Sequence, residues 1–168
     1  MNIWPAIVSA LSALAGAFLA NMFAEKRWNK QLAHEAEKER RALLRTKGEE
    51  LFRALRKYEK ELYFFNASRI GYLQGVVPHE KVIKIIDEKI DPLTHGSVDI
   101  LFTLYFEHLT PELEALHKQV AEVNKCFHRN DQNIPNLAAA ETMKKECAIY
   151  ERLTEQLIRK LKLAIKSI

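Results

Sequence analysis

The chain has 168 residues, of which 48% are hydrophobic and 29% charged, and its formal net charge at pH 7 is +4. The two cysteines, Cys126 and Cys147, are too few for a disulfide framework and suit a reducing compartment. Residues 25–60 carry 12 Lys and Arg against seven Glu, whereas residues 61–168 have a net charge of −1. The positive charge is therefore local, and it does not indicate a surface for nucleic acid.

The N-terminal stretch IWPAIVSALSALAGAFLANMF, residues 3–23, contains no charged side chain. A helix of about 21 residues is about 31 Å long, close to the roughly 30 Å thickness of a bilayer's hydrocarbon core. We therefore expect a transmembrane anchor over residues 1–24. Two alternatives stay open: a signal peptide cleaved near the small residues Ala13-Leu14-Ala15, although no cationic region precedes the apolar run, and a buried core helix.

Basic residues follow the apolar run directly, at Lys26, Arg27 and Lys30. Because Lys and Arg mark the cytoplasmic flank of a span, the asymmetry predicts a short N-terminus outside and a cytoplasmic body. At that flank, these three side chains would contact anionic lipid headgroups.

Four small residues, Ser9, Ser12, Gly16 and Ala20, share one face of a helix at 100° per residue. Small faces let two transmembrane helices approach closely, so this pattern predicts self-association of the span and a homo-oligomer. Alternatively, the face is a consequence of an alanine-rich composition alone.

Residues 25–50 are rich in strong helix formers but poor in apolar ones, which predicts a solvated, charged stalk helix. A weak coiled coil is the alternative. From Leu51 the apolar residues recur every three or four positions, as on the buried face of a helix, and the pattern fades near Gly71 to Gly75.

Four further helices are predicted, with no strand pattern between them. A short helix lies between Pro78 and Pro92. The next begins with Ser97 as N-cap and buries Ile100, Leu101 and Leu104. A third begins at Thr110-Pro111 and buries Leu113, Leu116, Val120, Val123 and Phe127. The last runs from Leu137 to Ile168 and buries Met143, Cys147, Tyr150, Leu157, Leu161 and Ala164.

These elements predict an all-α protein in which residues 51–168 form an antiparallel helical bundle. Its last helix would return toward the membrane, where Arg159, Lys160, Lys162 and Lys166 would attract anionic lipid. A merely solvated basic tail is the alternative.

No pattern indicates catalysis, a cofactor or a metal site. Glu114 and His117 form one carboxylate–imidazole pair where di-iron bundles use two, and Cys126-x-His128 lacks a second chelating pair. The adjacent aromatic residues Tyr63 and Phe64, and Tyr105 and Phe106, cannot all face one core, so we expect some of them to form a partner-binding surface. Alternatively, they wrap around one end of the bundle.

The segment LFTLYFEHLTPELEALH, residues 101–117, together with the N-terminal anchor and charged stalk, resembles small bacterial single-pass membrane proteins with a cytoplasmic helical domain. The shared features are a Tyr-Phe-x-x-Leu stretch and a Glu-Leu-rich helix after it, although the usual proline stands later, at Pro111. The resemblance implies a bacterial inner-membrane location and carries over no functional residue.

The sequence as a whole predicts a membrane-anchored cytoplasmic interaction or scaffold module with a protein partner. The alternative is an oligomeric effector that perturbs or permeabilises the membrane, with the bundle as its sensing or assembly domain. An enzyme is not predicted.

Overall fold

A computed structural model describes residues 3–129 and 135–168, apart from the side chains of residues 5, 6, 10 and 15. Helix accounts for 91% of the described residues and no strand occurs among them, which confirms the all-α prediction. The elements are α1 (Trp4–Leu73), α2 (His79–Lys89), α3 (Pro92–Tyr105), a 3-10 turn (Glu107–Leu109), α4 (Thr110–His128) and α5 (Leu137–Lys166).

The chain divides into two compact units, Met1–Leu43 and Leu44–Ile168. Helix α1 contributes residues to both. The boundary falls inside the segment 25–50 that was expected to be a stalk, so residues 44–50 belong to the second unit. Gly48 is buried there.

In the second unit, α1 buries the apolar stripe that its spacing predicts. Leu51, Leu55, Tyr58 and Leu62 are each at most 5% exposed. The helix ends at Leu73, where the amides of Val76 and Val77 donate to the Gly71 carbonyl at 2.9 and 3.1 Å. Gly75 takes a positive φ of 74°, a conformation that glycine adopts at little cost.

Helix α3 begins six residues earlier than the sequence predicted. Asp91 caps it by accepting from the Leu93 amide at 3.0 Å, and Pro92 occupies the first turn. The expected N-cap Ser97 is wrong: it lies inside the helix and its hydroxyl donates to the Leu93 carbonyl at 2.8 Å. An aspartate cap followed by proline is a strong start signal, which outweighs the helix-weakening effect of Gly96.

The buried face of α3 also differs from the prediction. Thr94, Val98, Leu101 and Phe102 are buried, a stripe that recurs at helical spacing once the count starts at Thr94. Of the residues expected inside, Ile100 and Leu104 are instead 58% and 66% exposed.

Helices α4 and α5 bury nearly all of the side chains that the sequence predicted. The buried residues of α4 are Leu113, Leu116, Val123 and Phe127. Those of α5 include Met143, Cys147, Tyr150, Leu157 and Leu161, while Ala164 is half-buried. Val120 is half-buried and packs against the main core cluster.

Contacts in the second unit run in opposite chain directions along α1 and α5. Gly48 lies against Ile165 near the end of α5, and the Asn136 amide at the start of α5 donates to the Leu73 carbonyl at 2.7 Å. Between α4 and α5 the order also reverses: Glu112 pairs with Lys160, and Gln119 donates to Glu146 at 2.7 Å.

Candidate interaction surfaces

The N-terminal part of α1 exposes a continuous apolar surface. An 18-residue window has a mean hydropathy of 1.8 and none of it is buried, so α1 is long and apolar enough to cross a membrane by length and composition. Its exposed large side chains include Ile3, Trp4, Ile7, Val8, Leu11, Leu14, Phe18, Leu19, Met22 and Phe23. Such a surface is far larger than the isolated apolar residues normal for a soluble protein.

The predicted association residues Ser9, Ser12, Gly16 and Ala20 are all exposed on this segment. A Cβ atom added at Gly16 would meet nothing within 4 Å. The small-residue face is therefore left open by the described chain.

The basic residues that follow the apolar run are also exposed. Lys26, Arg27 and Lys30 form no ion pair with any residue that the structure describes. Farther along α1, Arg41 donates to Glu37 at 2.9 Å, and this hydrogen bond lowers the pKa of the Glu37 carboxyl.

The four C-terminal basic residues do not share one environment. Lys160 pairs with Glu112 of α4, whereas Lys162 lies over the Phe52 ring of α1, with its Nζ 5.2 Å from the ring centroid. Arg159 pairs with Glu155 of its own helix at 3.3 Å. Lys160 and Lys162 thus face different neighbours.

The two pairs of adjacent aromatic residues differ in exposure. Tyr63 and Phe64 are 58% and 42% exposed and pack edge to face, with ring centroids 5.7 Å apart. Tyr105 is half-buried. Phe106 is 1% exposed, so its assignment to an exposed partner surface is wrong. The reason is local: α3 ends at Tyr105, and the Phe106 backbone, with φ −133° and ψ 39°, leaves the helical path as its side chain enters the core.

Two open grooves are lined by both α1 and α5. The first, which we call the acidic groove, has a volume of about 380 Å³ and is lined by Glu59, Lys60, Tyr63, Phe64, Tyr150, Glu151 and Glu155. The second, the basic groove, has a volume of about 530 Å³ and is lined by Glu49, Phe52, Arg53, Lys162, Ile165 and Lys166. Tyr63, Phe64, Lys162 and Lys166 are candidate site residues from the sequence, but their spacing does not predict that they line shared grooves.

A polar cluster lies between α1 and α3 and was not predicted. The Thr94 hydroxyl donates to the Glu61 carboxylate at 3.1 Å, and the Lys57 ammonium lies 3.7 Å from the same oxygen. Lys57 also donates to Asp91, and this hydrogen bond lowers the pKa of the Asp91 carboxyl. Burial lowers the pKa of His95, whose ring packs edge to face on Tyr58 at 4.4 Å.

The buried guanidinium of Arg69 was also not predicted from the sequence. Arg69 is 2% exposed and lies between the rings of Phe65 and Phe127, 4.4 and 4.1 Å from their centroids. It donates to the Asn124 side chain at 2.6 Å. Arg69 continues the helical spacing of the apolar stripe on α1, so this spacing could have predicted that Arg69 is buried.

The titratable groups of the described residues form no cluster suited to a metal ion. No group of three or more His, Cys, Asp or Glu there is placed to hold a metal ion. His117 faces Asp99, with 3.4 Å between Nε2 and Oδ1. Burial raises the pKa of both thiols, that of Cys147 to about 11, so they stay protonated and weakly nucleophilic at neutral pH.

Comparison of this chain with known protein families, with curated proteins and with solved structures finds no match.

Proposed function

We propose that the protein is a membrane-anchored helical interaction module. Residues 1–24 insert in a bilayer, residues 25–43 form the exposed stalk, and residues 44–168 form the domain that binds a protein partner. One observation carries the proposal: an 18-residue apolar window of α1 is wholly uncovered by the chain. Hydrocarbon solvates such a helix, whose backbone polar groups are bonded internally.

The proposed domain is an antiparallel four-helix bundle made of α1, α3, α4 and α5, with α2 in the first crossover. Along α1 and α5, and along α4 and α5, the contacting residues follow opposite chain directions, which supports this arrangement. Short connections such as the one from α3 to α4 favour antiparallel neighbours.

The proposed orientation has the N-terminus outside and the bundle in the cytoplasm of a bacterium, at the inner membrane. Support comes from the charge asymmetry: residues 1–24 carry no Lys or Arg, and residues 25–60 carry 12. Lys26, Arg27 and Lys30, which have no ion pair among the described residues, would lie at the anionic headgroups.

Membrane insertion is tested by alkaline extraction of membranes from cells that express the full chain. We expect the wild type to stay in the pellet, and the double variant Leu11→Arg, Leu14→Arg to be released, since each arginine costs about 2.5–3.5 kcal/mol at the centre of a span. The matched control is Leu104→Arg, Leu163→Arg, in which both leucines are 66% exposed outside the apolar segment. If both double variants are released from the membrane pellet to the same extent, the proposed insertion of residues 1–24 is wrong.

Orientation is tested separately by reporter fusions after Ile168. A reporter active only in the cytoplasm should give signal, and one active only in the periplasm should give none. The opposite result would support a cleaved signal peptide with an exported body.

A second candidate function is an oligomeric effector that perturbs the membrane. The observation in its favour is the open face of Ser9, Ser12, Gly16 and Ala20, with nothing within 4 Å of a Cβ at Gly16. Gly16→Leu should then weaken oligomers in a membrane-dimerisation reporter, while Leu14→Ala should not. Depolarisation on expression that Gly16→Leu abolishes would favour the effector; association without depolarisation would favour the module.

A further inference from the structure

We propose that the seam between α1 and α5 binds an amphipathic helix of a partner protein, with acidic side chains at one end of that helix and basic side chains at the other. The proposal rests on the interaction role proposed above and names the chemistry of its partner. The seam is the surface formed by the basic groove and the acidic groove together.

The two grooves follow one another along the same pair of helices, α1 and α5. Their members on α1 include Glu49, Arg53, Lys60 and Phe64, and those on α5 include Glu151, Glu155, Lys162 and Lys166. Both sets are spaced by four, seven and four residues, a spacing that keeps side chains on one face of a helix. The seam is about 22 Å long, or about four helical turns, since a helix rises about 1.5 Å per residue.

Charge is segregated along the seam. In the basic groove, Arg53, Lys162 and Lys166 outnumber Glu49, and none of these three cations forms an ion pair with a described residue. Elsewhere on these helices other charges do pair locally, as Lys144 does with Glu141. The basic groove therefore offers unsatisfied positive charge to a ligand.

The side chains that line the other half of the seam have the opposite net formal charge. Glu59, Glu151 and Glu155 outnumber Lys60 in the acidic groove. Two of these carboxylates pair with arginines of their own helices toward the middle of the seam: Glu59 with Arg56 at 2.6 Å and Glu155 with Arg159 at 3.3 Å. Glu151 and Lys60 have no ion pair among the described residues, so Glu151 is the carboxylate of this groove that is open to a cation from outside.

Apolar surface accompanies the charges at both ends. The exposed pair Tyr63 and Phe64 flanks the acidic groove, and the half-buried Phe52 and Ile165 line the basic groove. Aromatic anchors beside charges of both signs are suited to a helix that lays an apolar stripe into the groove and carries charges along its edges.

Two other occupants fit less well. A lipid surface presents anionic charge only, so it would attract the basic groove and repel the acidic one. A second copy lying parallel to the first would place equal charges opposite each other, and an antiparallel copy is distinguished from a partner helix by the self-association measurement below. A partner helix of mixed sign matches both ends of the seam at once.

The experiment uses two synthetic 15-residue peptides of the same composition and apolar stripe. In the segregated peptide, Glu occupies the first half and Lys the second; in the mixed peptide, Glu and Lys alternate as i,i+4 pairs, which also support a helix. Circular dichroism verifies equal helicity. Fluorescence anisotropy then measures the affinity of each peptide for the full chain in a neutral detergent.

We expect the segregated peptide to bind more tightly than the mixed one. The variant Lys162→Glu, Lys166→Glu should weaken that binding about tenfold, the effect of losing two exposed ion pairs and gaining repulsion. The matched control Lys118→Glu, Lys145→Glu makes the same charge change at exposed positions outside the seam and should bind as the wild type does.

Equal affinity for the two peptides, or an equal loss in both double variants, would overturn the proposal. So would a finding that Lys162→Glu, Lys166→Glu reduces binding to anionic vesicles while peptide binding is unchanged, which would assign the site to lipid. Self-association of the wild type that this variant abolishes would assign it to a second copy. None of these outcomes alters the membrane-extraction result, so the proposed membrane anchor is tested independently of the proposed binding site.

Discussion

Gly48 allows α1 to approach the C-terminal end of α5 closely, which makes it a sensitive test of packing in the second unit. A Cβ atom at this position would lie 2.5 Å from Cγ1 and 2.9 Å from Cδ1 of Ile165, and 3.1 Å from Cζ of Phe106. Gly48→Ala therefore forces the Ile165 side chain to move. Phe106 has little room to retreat because it is 1% exposed within the core.

The size of the effect follows from two opposing contributions. Alanine is more favourable than glycine inside a helix by about 1 kcal/mol. Overpacking of a filled site costs about 1–3 kcal/mol, so Gly48→Ala should lower the free energy of unfolding by about 0–2 kcal/mol. Gly96→Ala in α3 has nothing within 4 Å of its new Cβ and should keep the full gain of about 1 kcal/mol.

Urea unfolding of the full chain in a neutral detergent, followed by circular dichroism, measures both variants. The free energies of the two variants should differ by about 1–3 kcal/mol, with unchanged slopes. The double variant Gly48→Ala, Ile165→Ala should lose less stability than the sum of its two single variants, because the shortened side chain at position 165 removes the overpacking. If Gly48→Ala stabilises the protein as much as Gly96→Ala does, the close approach of α1 and α5 at this point is wrong.

Three further changes test polar groups and a thiol in the second unit. Thr94→Val removes the hydroxyl that donates to the buried Glu61 carboxylate, and urea unfolding should show a loss of about 1–3 kcal/mol; an unchanged midpoint would contradict the hydrogen bond. Lys57→Met removes the ammonium whose hydrogen bond holds the pKa of Asp91 below the ordinary 3.8. That stabilisation is present above the unfolded-state pKa and is lost as the pH falls through the folded-state value, so the stability difference between wild type and Lys57→Met should shrink below about pH 4. The Cys147 thiol is buried, with its pKa raised to about 11, and should react with iodoacetamide at neutral pH only when the protein unfolds; equal rates with and without urea would refute its burial.

The helices and most of their buried faces could be predicted because their signals are local. The stripe from Leu51 to Leu62 repeats at helical spacing for three turns, and the segment Thr110-Pro111-Glu112 is a helix start that needs no tertiary contact. The paired prolines Pro78 and Pro92 likewise bracket α2. Each of these patterns depends on neighbours in the chain alone.

The errors occur where two signals compete. At the start of α3, Asp91-Pro92 and Gly96-Ser97 both resemble a helix start, and the hydrogen bond from the Asp91 cap decides the outcome. Phe106 follows an aromatic residue on a helix, yet the helix ends just before it, so its direction depends on a backbone turn that periodicity does not encode.

The two grooves were beyond prediction because they are made by residues about 100 positions apart. The sequence shows Arg53 and Lys162 as two solvated charges, and only the packing of α1 against α5 makes them neighbours. Gly48 is similar: alone it resembles a weak point in a stalk, and its role is apparent only once Ile165 lies beside it.

The apolar N-terminal segment and the seam, both uncovered by the described residues, differ in chemistry, and this difference separates the proposed membrane location from the proposed recognition of a partner. Residues 3–23 carry no charge, so hydrocarbon can solvate them fully, whereas the seam carries both signs of charge beside its aromatic residues. A bilayer interior cannot satisfy the seam, because ionised groups in hydrocarbon are costly, and a soluble helix gains little from an apolar span that carries no charges for it to pair with. On the proposed function, the anchor therefore decides where the protein acts and the seam decides what it binds.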